Sequence, residues 1–593
     1  MKPQSLHKWD LKPEIEGLLY FAQRLDEMLF DYSLDSYRPP TLTPFSLCEE
    51  ALSLIDDIEA EFIELSSLNP ILEELKRSIQ RDPISKRLLD ISVEKYILDN
   101  DQSPLSLKKT RLEVLARTLE TRRYLPEVSE YIEQAVINNN KRDISHGTAM
   151  LVSTLINLGV SKAFLYQKNK EYFFVGSSPS INSSDAIKEY FEVIQPRIHN
   201  FDVYFLVSKN IDVVSESVER FRIEVYDDIP DELNEVCKKH SFHPNGDEVL
   251  IRIDGIEEFD CFSAREAAER RIDNLNDLFT LFFHRNDLSW REDTLISQCC
   301  IESPVIVTRQ KSPMQKAYDP SKKHAAKRLN FLLRNLALRF GDDTSYQKFY
   351  RVVDLHGISV ANDIPENQLL NLWICIETLV PSKSGRNKIS NILTSLDPFI
   401  KHTYIGRLVE RTLTDLTIWN KFETRKLLRR VPGTHGKRLS VKLLHLLALN
   451  SQEFQDLRSE LYSKLDKFPL LRSRIFSLSE QISSPKKIRN IIDDHAERVH
   501  WQIRRLYRTR NLIVHSGRTP PYLGALIENG HDYLDLVLEA VVNLSCGTYQ
   551  AESLEQAFEL QVILEMKMNT LLKGEGVTPS ILESMYLQSW IGN

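Results

Sequence analysis

The stretch Arg510-Asn511-Leu512-Ile513-Val514-His515 brings a guanidinium, an amide and an imidazole within one and a half turns of a helix. A guanidinium can hold a phosphate through two parallel hydrogen bonds, and an imidazole can give or take a proton near neutral pH. Together they are the minimum equipment for cutting RNA without a metal ion.

The helix that must position these groups is legible in its own periodicity. Between Asp493 and Ser516 the apolar residues Val499, Ile503, Leu506 and Ile513 recur at the spacing of one buried face. Arg510 falls in that stripe, where an unpaired guanidinium is costly unless it faces a cleft or a partner. Asn511 and His515 form an i, i+4 pair, and Arg504 and Arg508 project to the same side, so one flank is cationic and carries a histidine. Gly517, followed by Arg518-Thr519-Pro520-Pro521, ends the helix. His515 therefore sits in the last turn, at the negative end of the helix dipole. The plainer reading of the same residues is a solvated basic face with a capping histidine.

Charge is unevenly spread along the chain, whose net value is −8. From Pro39 to Leu75 there is no Lys or Arg, while Glu49, Glu50, Asp56, Asp57, Glu59, Glu61 and Glu64 accumulate. From Ser484 to Arg518 nine basic residues face three acidic ones. Lys322, Lys323, Lys327, Arg328, Arg334 and Arg339 on a helix from about Ser321 to Phe340, and the stretch from Lys421 to Lys442, add two further basic clusters. An acidic protein with a basic C-terminal half points to a polyanion held on one face. The acidic segment 49–64 is a candidate competitor for that face.

At 593 residues the chain exceeds one core, and its 42% apolar and 27% charged content is that of an ordinary globular protein. No apolar run approaches a membrane span, and the start Met1-Lys2-Pro3-Gln4 lacks a signal-peptide core. Seven scattered cysteines, of which only Cys299 and Cys300 are adjacent, offer neither a metal-ligand spacing nor a disulfide framework. A reducing, cytoplasmic setting is expected, with no membrane partner.

Three regions follow from the patterning. Residues 1–140 read as helices, at Glu14 to Tyr32, Ser46 to Ser66, Pro70 to Gln80 and Leu107 to Arg123, broken at Pro39-Pro40 and Asn138-Asn139-Asn140. Residues 141–310 read as an α/β module and a candidate sensor. Its strands are expected at Phe164-Leu165-Tyr166, Tyr172–Val175, Val203–Val207, Phe221–Val225 and Val249–Ile253, followed by a capping box at Ser263-Ala264-Arg265-Glu266 that opens a helix to about His284. Residues 311–593 read as a helical bundle from about Asp319 onward, with helices at Gln368–Val380, Lys388–His402, Val441–Leu449, Glu453–Leu465, Asp493–Ser516, Tyr533–Cys546 and Ser553–Lys573. The fold class is mainly α.

Two of these helices carry a resemblance. Leu372-Trp373-Ile374-Cys375-Ile376-Glu377-Thr378-Leu379, paired with Arg510–Gly517, resembles the HEPN superfamily, and most of all the Apea-like HEPN branch found in prokaryotic antiviral defence proteins. The Arg-polar-x-x-x-His motif matches residue for residue, and the resemblance covers roughly residues 320 to 575. It implies a C-terminal HEPN helical bundle and a metal-independent endoribonuclease that acts as a homodimer, two motif helices meeting at a cleft on RNA. The 2′-hydroxyl would attack the adjacent phosphodiester, leaving a 2′,3′-cyclic phosphate and a 5′-hydroxyl. His515 would act as general acid or base, Arg510 would hold the phosphate, and Asn511 would orient the imidazole or the RNA backbone. Arg504 and Arg508 would be secondary phosphate contacts, and Glu377 would pair with Arg510 or stand exposed on its helix. No cofactor and no metal are expected. An antiviral effector of this kind would cut host or viral RNA, tRNA among the candidates, under a phage-derived trigger or a regulatory protein. A non-catalytic HEPN module that binds RNA or a protein, with the motif helix used for dimerisation, is the alternative.

Other chemistries find little footing. Gly433-Thr434-His435-Gly436-Lys437-Arg438 lacks the first glycine and the hydroxyl residue of a phosphate loop. His495 and His500 lack the spacing of a zinc-protease helix, and no Gly-x-Ser-x-Gly elbow is present.

Overall fold

Helices dominate because most of the chain repeats apolar residues at three- and four-residue spacing, and alternation is confined to one small antiparallel sheet. The computed structural model describes residues 1–593 except 1–2, 32, 62, 99–102, 178, 215–217, 227, 285–286, 302, 317–320, 338–343, 383–386 and 587–593, and omits the side chain of Ser66. Arg339, Asp319, Tyr32 and Phe340, used above to bound elements, lie outside the described residues. Among the described residues no helix is long and apolar enough to cross a membrane.

The chain forms two compact units. Residues 1–150, 180–184 and 312–593 make the first, and residues 151–179 and 185–311 the second. The N-terminal helical region and the C-terminal bundle thus share one unit, while most of the 141–310 module makes the other.

In the second unit strands β1 (His199–Ser208), β2 (Ile223–Tyr226), β3 (Glu248–Glu258), β4 (Asp293–Gln298) and β5 (Val305–Thr308) pair antiparallel in the order β2-β3-β1-β4-β5. The helix Cys261–Thr280 packs Ala264, Ala268 and Ile272 with Phe205, Ile251 and Ile253 in one core. Leu233, Cys237 and Phe242 join Tyr204, Leu206 and Leu250 in another. β1 is buried on both sides, which is why its sequence reads as an unbroken apolar run. The short strands β4 and β5, of which β5 forms an edge of the sheet, were not expected from the sequence.

Three expectations need correction here. Phe164-Leu165-Tyr166 and most of Tyr172–Val175 lie in or against the helix Lys162–Phe173, not in strands. Ser161 caps that helix by accepting from the Phe164 N–H at 3.1 Å, and Leu165, Asn169, Tyr172 and Phe173 bury one face at helical spacing. The helix expected to open with a box at Ser263 is capped instead by Asp260, whose carboxylate accepts from the N–H groups of Phe262 at 2.9 Å and Ser263 at 3.0 Å.

In the first unit the expected Ser46–Ser66 helix spans Pro44–Glu59 and stops because Glu61 turns to φ +61°. The expected Leu107–Arg123 helix is two, Leu105–Thr118 and Thr121–Ile137. In the bundle, Lys388–Arg429 is far longer than expected and is broken at Asn420. Helices Thr344–Ala361 and Pro469–Gln481 were not expected. The bundle core brings Leu372, Trp373 and Ile376 of helix Pro365–Leu379 together with Val499, Ile503 and Leu506 of the motif helix, Pro485–Ser516. Each such side chain, fully buried, contributes about 1.5–3 kcal/mol. Helix Leu523–Cys546 approaches closely at Gly530, where a Cβ would lie 2.7 Å from Leu372 Cδ2 and 2.9 Å from Leu506 Cδ1. Only glycine permits that contact without displacing both leucines.

Candidate active site

The motif helix begins at Pro485, where the Ser484 hydroxyl accepts from the Lys487 N–H at 3.3 Å. It ends where Gly517 adopts φ +64° and donates its N–H to the Ile513 carbonyl at 3.0 Å. That glycine holds His515 in the last helical turn, exposed to solvent. Arg510 Nη1 donates to Asn511 Oδ1 at 3.1 Å, so the guanidinium and amide of the motif are joined and both half-buried.

The apolar stripe does not continue to Arg510. Val499, Ile503 and Leu506 are buried, but Ile513 is only partly covered, and Arg510 lies where the helix emerges from the bundle. The fully buried guanidinium is Arg505, at 0% exposure. Its Nε donates to both oxygens of Glu50, at 3.2 and 3.1 Å, and its Nη2 donates to Glu50 Oε2 at 2.9 Å and Glu74 Oε2 at 2.6 Å. Arg508 Nη2 donates to Glu50 Oε1 at 2.8 Å. Burial would raise the Glu50 carboxyl, but the Arg505 and Arg508 guanidiniums outweigh it and hold it down at about 2. Burial, helped by Glu50, pushes the Glu74 carboxyl up instead. Two guanidiniums and two carboxylates thus form one paired cluster between the motif helix and helices Pro44–Glu59 and Asn69–Arg81. Arg518 Nη2 adds a rim contact to Asp57 Oδ1 at 3.2 Å.

The residues expected to position RNA are therefore divided. Arg508 is engaged by Glu50, and Arg504 is partly buried, with burial and then Arg508 lowering its guanidinium pKa. Glu377, placed by sequence as a partner of Arg510, forms its ion pair with Lys388 at the start of the next helix. The histidines set aside as metal ligands have other partners. His495 Nε2 lies 2.8 Å from Asp35 Oδ2 and its ring stacks on Tyr404, and His500 Nε2 lies 3.0 Å from Asp397 Oδ1. A cavity of about 990 Å³ borders the middle of the motif helix at His495, Arg498, Trp501 and Gln502, but Arg510, Asn511 and His515 do not line it. The candidate chemistry sits on an open helix end and not in that cavity.

Sequence reasoning missed Arg505 as a buried group, and with it Glu50 and Glu74 as its partners. Arg505 and Thr509, both buried, form a second, polar stripe one turn apart that hydrophobic periodicity cannot register. No family model matches the chain, and no curated protein or solved structure matches it.

Proposed function

We propose that this chain is a metal-independent endoribonuclease of the HEPN type that serves as an antiviral effector, its C-terminal bundle acting as a dimer on RNA. The observation that carries the reading is the pairing of Arg510 with Asn511 beside an exposed His515 on one capped helix end. Helix Pro365–Leu379, which bears the second half of the HEPN-like pattern, packs on the motif helix, with the Trp373 and Tyr507 rings 5.3 Å apart. His515 moves the proton of the 2′-hydroxyl or of the leaving 5′-oxygen, and Arg510 holds the phosphate and meets charge that develops on its non-bridging oxygens. Asn511 fixes the Arg510 fork through its side-chain oxygen. A second copy would bring a second motif end to the same phosphate.

The acidic helices restrain this site. Glu50 occupies Arg508 and Asp57 occupies Arg518, two cations that would otherwise meet RNA. Asp57→Asn is expected to free Arg518 and steepen the dependence of log Kd on log salt for single-stranded RNA by about 0.7, the increment of one phosphate contact. Filter binding across a salt series reads it, and an unchanged slope means that Arg518 does not reach RNA.

The same ion pairs favour a second reading, a non-catalytic HEPN module whose motif helix serves assembly, because they neutralise cations that RNA would need. Product chemistry separates the two. Full-length protein incubated with total RNA and tRNA in EDTA, with its fold checked by circular dichroism and infected-cell extract added in a parallel arm, is expected to leave 2′,3′-cyclic phosphate and 5′-hydroxyl ends. Intact RNA in both arms leaves the binding module as the better account.

A further inference from the structure

The clearest unassigned chemistry lies within the bundle, where two imidazoles meet. His356, on helix Thr344–Ala361, and His531, on helix Leu523–Cys546, bring their Nε2 atoms to 2.9 Å. Asp535, one turn after His531, places one carboxylate oxygen 3.4 Å from His356 Nε2 and the other 3.4 Å from His531 Nε2. We propose that His356, His531 and Asp535 hold a divalent zinc ion that ties these two helices together.

The three side chains stand close to the arrangement a tetrahedral ion needs. With zinc–nitrogen bonds of about 2.0–2.1 Å, ligand atoms on a tetrahedron stand roughly 3.3–3.4 Å apart. One ligand atom from each of the three side chains lies within 4.8 Å of the other two, the two nitrogens need to part by only a few tenths of an ångström to reach that edge, and a rotation of the Asp535 carboxylate brings one oxygen toward both. Two imidazoles and a carboxylate, with His and Asp at i, i+4 on one helix and the third ligand from a facing helix, make a donor set suited to zinc. Neutral imidazole is the form a metal requires.

The charged lining of the adjacent cavity is mainly carboxylate. Asp535 borders a cavity of about 210 Å³ whose other charged lining residues are Glu410, Asp532, Glu539 and a single cation, Arg407. Glu539 is paired with Arg328 at 2.5 Å, and Arg38 is engaged by Asp532 at 2.9 Å and by Asn529 Oδ1 at 2.9 Å. His531 directly follows Gly530, the close contact with Leu506 of the motif helix, so the ion stiffens the packing beneath that helix. Its role is structural, and it stands apart from the chemistry proposed at His515.

The test uses full-length protein with Cys299→Ser and Cys300→Ser, because those thiols and His199 form a separate cluster of metal-binding groups. After removal of metal by a chelator, Co²⁺ is titrated as a spectroscopic probe and then displaced by Zn²⁺. The expected result is one Co²⁺ per chain with the visible absorption of a four-coordinate nitrogen and oxygen site, and a Tm that rises with Zn²⁺. Both signals are lost in His356→Ala and in Asp535→Asn while the circular dichroism spectrum is kept. Absence of stoichiometric Co²⁺ uptake, or equal uptake by the folded variants, overturns the proposal and leaves a plain hydrogen bond between two histidines.

Discussion

Arg505→Ala is expected to destabilise the unit that contains the motif helix by about 3–5 kcal/mol, the usual consequence of removing one partner from a buried ion pair. The reason is what remains. Glu50 loses one of its two guanidiniums, and Glu74 loses the guanidinium that donates to it. Desolvated carboxylates without donors must either stay charged at high cost or take up protons. Arg505→Met combined with Glu74→Met should recover most of the loss, since it removes the charge and its second partner together and keeps Glu50 with Arg508. Urea unfolding of the three proteins measures this. An Arg505→Ala variant within 1 kcal/mol of wild type contradicts the assignment of Arg505 as the buried centre of the cluster.

The same cluster sets a pH dependence. The Glu50 carboxyl is lowered from 4.5 to about 2, so its contribution is fully present above the usual carboxylate range and is lost as pH falls toward 2. Glu74 is raised, so it resists ionisation in the folded state and partly offsets Glu50 as pH rises. Glu50→Gln should therefore flatten the acid limb of the stability curve of this unit between about pH 5 and 2.

The sequence foretold the motif helix well because its signals are local. Gly517 supplies a left-handed cap, and Val499, Ile503 and Leu506 mark the face that enters the core. It foretold β1 and β3 for the same reason, since long apolar runs bounded by turns have few other uses. It misread Phe164-Leu165-Tyr166 because a three-residue aromatic run carries no period, and the Ser161 cap decided for helix. Arg510 falls in the apolar stripe by spacing alone, and it is only half-buried because the bundle ends before the stripe does. Arg505 with its acids, and His356 with His531 and Asp535, are unions of residues remote in sequence. Tertiary packing alone brings such groups together, and one chain read by itself holds no record of it.

His515→Ala is expected to lower the rate of RNA cleavage by about 10²–10⁴-fold, the span of a positioned acid or base. Arg510→Ala should cost about 10²–10³-fold by removing a donor to the phosphoryl oxygens, and Arg510→Lys should recover little, because an ammonium lacks the planar fork. Neither change should unfold the protein. His515 is exposed, and Arg510 is half-buried with a neutral amide as its hydrogen-bond partner. If two motif ends share one phosphate, His515→Ala protein mixed with wild type should depress activity more than dilution accounts for.

The most direct measurement is single-turnover cleavage of total RNA and tRNA in EDTA by wild type beside folded His515→Ala, with product ends mapped. The proposed mechanism predicts cutting by wild type that leaves cyclic phosphate and falls at least 100-fold in the variant. Equal cutting by the two proteins, or cutting by wild type that stops in EDTA while the fold persists, contradicts it.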